Sequence, residues 1–175
     1  MFKAWENLKS LGADLTPVMS FNAHDLDTRF YPAAEAISIF SGICGKDILH
    51  DIPSVEPIGP KKLFDLLIVA PCTGNTLAKI ANGITDTPVL MGAKAHLRNN
   101  KPLLIFLSSN DGLGMNMKNI GLLLNTKNIY FVPFGQDNPG KKPNSLVAHI
   151  EYLIPALEAA LEYRQIQPLL VDYME

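Results

Sequence analysis

The chain is poor in cysteine and tryptophan, with two of the first and one of the second in 175 residues. Cys44 and Cys72 fall in neither a CxxC nor a zinc-ligand spacing. A disulfide framework is therefore not expected, nor a metal site, and two reduced thiols in a cytoplasmic protein is the simplest reading. No run of about 18 uncharged apolar residues exists, so no membrane span is expected. A signal peptide is missing too: Met1-Phe2-Lys3-Ala4-Trp5-Glu6 has no apolar stretch and carries an early acid. Positive charge is not in excess, at 15 Lys and Arg against 17 Asp and Glu, net −2. That argues against a general nucleic-acid binder. Repeats and low-complexity tracts are absent. What remains is 47% hydrophobic and 18% charged, enough apolar material for a packed core. At roughly 150 residues per domain, residues 1–175 form a single domain.

The charge is uneven. Residues 1–60 hold four Lys/Arg and eight Asp/Glu, residues 61–150 ten and four, and residues 151–175 one and five. A basic middle in an acidic frame suggests that the middle meets an anion; solvated lysines on helix ends are the plainer alternative.

Phe2, Trp5 and Leu8 predict a helix over Met1–Leu11, stopped by Gly12. Leu15–Ser20 reads as a short strand placed near an edge by Pro17, and Phe21–Phe30 as a polar loop. Pro32 opens a helix that runs through Ile43 to Gly45. Three prolines and a glycine make Ile52–Pro60 an extended connector. Leu63–Ala70 and Leu103–Ser108 are nearly continuous apolar runs, as in strands covered on both faces. Helices are predicted over Thr73–Asn82, Pro88–Arg98 and up to Leu124. A last strand is expected over Ile129–Pro133, a polar loop over Phe134–Asn144, and a long helix over Ser145–Arg164 with Pro155 able to kink it. This alternation predicts a three-layer α/β/α, doubly wound parallel sheet. Ligands in such sheets bind beyond the carboxyl ends of the strands. The loops to inspect are Ser20–Phe30, Pro71–Thr76, Ser108–Asn116 and Pro133–Asn144.

Pro71-Cys72-Thr73-Gly74-Asn75-Thr76 joins the clearest strand to a helix. Gly74 permits close backbone approach, and free N–H groups at the helix start suit a phosphate or an electron-rich ring edge. Thr73 as a simple N-cap is the alternative. The run from Ala70 to Asp86 resembles the flavoprotein family that includes flavin-dependent cysteine decarboxylases and flavin prenyltransferases. The resemblance implies a Rossmann-like fold and bound flavin mononucleotide (FMN), wrapped by Pro71, Thr73, Gly74, Asn75 and Thr76, with Gly74 replacing the usual alanine. Ser20 and Phe21 resemble the family's second flavin contact, Asp86 also matches in position, and Ser108, Ser109 and Asn110 complete the candidate cofactor set.

Longer strings resemble a narrower family, the dipicolinate synthase B subunits: Glu56–Pro60, Thr85–Met91, Ser109–Gly114, Lys127–Asp137 and Lys141–Ser145. That resemblance implies oxidation of dihydrodipicolinate to pyridine-2,6-dicarboxylate during sporulation, in the mother-cell cytoplasm. It also implies a partner, the dinucleotide-binding A subunit of dipicolinate synthase, and a homo-oligomer. A non-catalytic role, stabilising that A subunit, is the alternative. Two departures stand out. The decarboxylases' base histidine would fall at Pro57, and their Pro-x-Met-Asn loop is replaced by Ser108-Ser109-Asn110-Asp111, so cysteine decarboxylation is not expected. The family also opens with a strand and a phosphate loop before the helix matched by Met1–Leu11. Losing a central strand would cost more than a typical stability of about 5–15 kcal/mol. A start roughly 20 residues upstream is therefore expected.

Lys141 and Lys142 are candidates for the two substrate carboxylates, with Gln136 and Asp137 orienting it; solvated loop lysines are the alternative. Cys72 lies near a helix start, which lowers thiol pKa values, but nothing nearby resembles its base. His24 is the candidate general base, ahead of His50, His96 and His149, because its loop borders the site. Packing is the role expected of Met115 and Met117 at a helix start.

Overall fold

In a computed structural model, residues 2–28 and 31–172 are described. Met1, Arg29 and Phe30, at the ends of the first predicted helix and loop, lie outside them. Three parallel strands form the centre: β1 (Leu67–Cys72), β2 (Leu103–Ser109) and β3 (Ile129–Phe131), with β2 between the others. The middle of β2 is the most enclosed part of the chain, and Leu103, Leu104, Ile105 and Leu107 are fully buried. Each such side chain contributes about 1.5–3 kcal/mol of burial free energy, which is why the apolar run is legible as a strand.

Helices flank the sheet. α1 (Phe2–Ser10) packs on α3 (Ala33–Cys44), while α6 (Gly74–Ala81), α7 (Pro88–Leu97) and α9 (Leu153–Leu161) pack against β2. Gly45 ends α3 in the left-handed conformation (φ 66°), as its position after the apolar run predicts. Thr73 and Thr87 cap α6 and α7 through their hydroxyls, and α8 (Met117–Leu124) leads into β3.

The sheet is mixed rather than wholly parallel. β4 (Phe134–Asn138) and β5 (Lys142–Ala148) form an antiparallel hairpin where a loop and the start of a long helix were expected. Pro133 breaks β3, and the chain turns at Asn138, whose backbone and side-chain oxygens both accept from the Lys141 N–H. β5 then joins β2 at Ser108 and Ser109, beyond the point where β3 stops. A non-local partner decides this segment, so its polar composition misleads. The helix is confined to α9, preceded by a 3-10 turn at Ile150–Tyr152, and Pro155 falls in its first turn, where it costs no hydrogen bond.

Three other expectations change. Leu15–Ser20 contributes a single parallel bridge, Val18 to Leu49, because Pro17 has no N–H to extend the ladder. The loop after it contains α2 (Phe21–Asp25), capped by Ser20. Ile52–Pro60 holds two one-turn helices, α4 (Ile52–Val55) and α5 (Ile58–Lys61), in which Pro53 takes a first-turn position and Asp51 caps through the Ser54 N–H.

Candidate functional site

Two of the inspected loops meet. Gly74 opens α6 directly against the segment that follows β2. A Cβ at Gly74 would lie 2.6 Å from both Asn116 Nδ2 and Ser109 Oγ, and 2.8 Å from Asp111 Oδ1. Close backbone approach is therefore what the glycine provides. The facing groups form a closed network. Ser109 Oγ donates to Asp111 Oδ1 at 2.7 Å, and Asn116 Nδ2 reaches both Asp111 oxygens at 2.8 and 2.9 Å. Asn119 Nδ2 donates to Asn116 Oδ1 at 2.9 Å. Hydrogen bonds from Ser109 and then Asn116 hold the Asp111 carboxyl below its usual range. Ser109, Asn116 and Asn119 are buried. Gly112 packs just as tightly on β5, where a Cβ would meet Leu146 at 2.8 Å.

Sequence reasoning selects Ser109 and Gly74 but passes over Asp111, Asn116 and Asn119. The available signal is a carboxylate and an amide, Asp111 and Asn116, between a buried strand and a helix, with a second amide, Asn119, in the helix's first turn.

In the Pro71–Thr76 loop, Ala70–Pro71 is a cis peptide and the β1 register shifts between Val69 and Cys72. The Thr73 hydroxyl accepts the Thr76 N–H at 3.4 Å, so its capping role is real. The N–H groups of Gly74 and Asn75, with the Asn75 amide, have no partner among the described residues. These donors suit the heteroatom edge of a flavin ring. Cys72 is fully buried, and burial pushes its thiol up to about 12; this overturns the expectation that the helix start lowers it. Two surface hollows, of about 570 and 530 Å³, lie elsewhere, between α1 and α3 and beside β3.

Ser20 accepts the Ala23 N–H at the start of α2, and Phe21 is partly exposed beside it. His24 sits one turn on, its N–H bonded to the Ser20 carbonyl at 3.0 Å. His50 stacks on His24, with ring centroids 3.9 Å apart and planes 5° apart. The other histidines serve the fold: buried His96 shares a hydrogen bond with the Pro102 carbonyl at 3.0 Å, and His149 contacts Glu151.

The substrate candidates all belong to the β4–β5 hairpin. Lys142 Nζ pairs with Asp137 at 2.5 Å, and Gln136 Nε2 donates to the Pro143 carbonyl at 3.0 Å. Lys142 is thus already matched by a carboxylate, whereas Lys141 has no ion-pair partner among the described residues. Of the basic middle, Lys79 and Lys101 also pair, with Asp86 and Asp65. The remaining cations are spread over α5, α7, α8 and the loops.

Comparison with known proteins agrees with this architecture. A family model described as "Flavoprotein" matches residues 2–147. The dipicolinate synthase B subunit of Bacillus subtilis (strain 168) is 45% identical over 172 residues, 98% of this chain and 86% of that protein. The crystal structure of the dipicolinate synthase B subunit from Bacillus halodurans C superposes with a TM-score of 0.91 at 47% identity, covering 99% of this chain and 89% of the other. The cypemycin decarboxylase CypD shares the fold at 22% identity, with a TM-score of 0.59 over 94% of this chain and 88% of its own. The chain therefore belongs to the flavoprotein family and is a homologue of the dipicolinate synthase B subunit.

Proposed function

We propose that the chain acts as the B subunit of a dipicolinate synthase. It contributes to the oxidation of dihydrodipicolinate to pyridine-2,6-dicarboxylate and works with the A subunit of that enzyme. The observation that carries this reading is near-full-length similarity to two B subunits at 45% and 47% identity. The proposed location is the cytoplasm of a sporulating mother cell. Among the described residues, no helix is long and apolar enough to cross a membrane.

FMN is the proposed cofactor, and bound there it would accept a hydride. Asn75, with the N–H groups of Gly74 and Asn75, would hold its ring edge. Ser20, Phe21, Pro71, Thr73, Thr76, Ser108 and Asn110 would line the same place. Ser109 would act through Asp111, which braces the loop from behind. Lys141 is the cation free to meet a substrate carboxylate, with Lys142, Asp137 and Gln136 shaping the hairpin around it. Homo-oligomerisation is part of the same reading.

The test is a titration of the purified chain with FMN, followed by visible absorbance and flavin fluorescence, then dihydrodipicolinate oxidation in the presence of the A subunit. Quenched, protein-bound flavin and turnover that needs both subunits are the expected results. A second reading is a non-catalytic partner that stabilises the A subunit. It would be selected by absence of flavin uptake, together with an A subunit that turns over alone but is less stable.

A further inference from the structure

The His24–His50 stack is a built feature that neither the fold nor the proposed cofactor contacts require. His24 Nδ1 lies 2.6 Å from Asp25 Oδ1, and His50 Nδ1 lies 3.3 Å from the Ile48 carbonyl oxygen. Both partners are hydrogen-bond acceptors, so the Nδ1–H tautomer satisfies each of them and turns Nε2 out as the acceptor nitrogen. Neither Nε2 has a partner among the described residues. The His24 side chain is 24% exposed, reachable yet held. Ring planes only 5° apart keep the two lone pairs from converging on one ion, and no cluster of three metal-ligating side chains occurs among the described residues. The pair is arranged to accept a proton rather than a metal.

Position gives that proton a source. Ser20 is the N-cap of α2, and its carbonyl accepts the His24 backbone N–H at 3.0 Å, so His24 stands one turn from a proposed flavin contact. Val18 and Leu49 form the parallel bridge that precedes both histidines. That bridge sets the two histidine-bearing segments side by side.

Resting on the B-subunit reading above, we propose that His24 Nε2 is the base for the aromatisation step. A ring C–H bond of dihydrodipicolinate breaks and its proton forms an Nε2–H bond. The electron pair stays with the ring, and a hydride leaves from a second ring carbon to an oxidised flavin. The net loss is one proton and one hydride, which yields the pyridine. Asp25 is a positioning residue that fixes the tautomer and faces the developing imidazolium, and His50 is a positioning residue whose ring holds the His24 plane. A base oriented by a carboxylate on its far nitrogen is a recurrent catalytic arrangement.

The experiment uses the chain assembled with its A-type partner and FMN. His24→Gln lowers kcat by about 100-fold or more, as loss of a general base does, while KM changes less than threefold. Free imidazole restores part of the rate to His24→Ala. Asp25→Asn lowers kcat about tenfold and Asp25→Glu recovers most of it; His50→Phe keeps the ring contact and the rate, whereas His50→Ala loses it. Independently of turnover, adding pyridine-2,6-dicarboxylate to the isolated chain shifts the His24 ring C–H signals in NMR and leaves those of His96 unmoved. Full turnover in His24→Gln, or a His24 signal indifferent to the dicarboxylate, overturns the inference and leaves the proposed function standing. A wild-type assembly with no turnover defeats the proposed function and the inference together.

Discussion

Gly74→Ala tests whether the site is two loops locked together. The added methyl would sit 2.6 Å from Asn116 Nδ2 and Ser109 Oγ, and 2.8 Å from Asp111 Oδ1. Ordinary contact needs most of an ångström more. The facing atoms are not free ends, because each is tied to Asp111 or is Asp111 itself, and Ser109 and Asn116 are only 5% and 7% exposed. Making room breaks one or two hydrogen bonds to a carboxylate, at about 1.5–3 kcal/mol each. Replacing glycine near a helix start returns up to about 1 kcal/mol. The expected net loss is therefore about 0.5–6 kcal/mol, read as a lower urea midpoint at unchanged slope. The Asp111→Ala background sharpens the test. With the network already broken, Gly74→Ala should cost at least about 1 kcal/mol less than in the wild type. Stability within about 0.5 kcal/mol of wild type for the single variant, or strict additivity of the pair, would refute the locked-loop account.

Other consequences are simpler. Asp111 has a native carboxyl value below its unfolded one, so its contribution is complete at neutral pH and is lost as pH falls through the lowered value. The difference in urea midpoint between wild type and Asp111→Ala should narrow on acidification; a gap that widens would contradict the assigned hydrogen bonds. Cys72, with its thiol pushed up to about 12 and fully buried, should resist a thiol reagent in the native protein at pH ~8 and react at once in denaturant. Rapid native labelling at Cys72 would show that the strand end opens. Gln165 donates to the Phe131 carbonyl and accepts its N–H, both at 2.8 Å, closing part of the β3 edge. Gln165→Ala should cost about 1–3 kcal/mol in chemical denaturation, and a neutral result would mean that water replaces the amide.

Local chemistry made much of this chain legible before any fold was known. The runs around Val69 and Ile105 have to be strands because side chains buried on both faces leave no room for alternation. Threonines at 73 and 87 and the glycine at 45 mark helix ends by chemistry contained within a few residues. The Pro71–Thr76 loop was readable as a candidate site for the same reason. The hairpin at 134–148 was not, since Gln136, Asp137 and Lys142 look like loop residues until β5 pairs with the end of β2. Nor was the network on Asp111, whose partner loop begins 37 positions earlier at Gly74.

Sequence ranked His24 ahead of the other three histidines by its loop alone. The fold stacks two, buries one against Pro102 and sets one beside Glu151. Sequence alone determined the central strands, the helices that flank them and the family, because propensity, burial pattern and motif are written within short windows. Tertiary structure alone decided which loops touch, which strand β5 joins and which two histidines stack. Those depend on distances between segments far apart in the chain, which only packing sets.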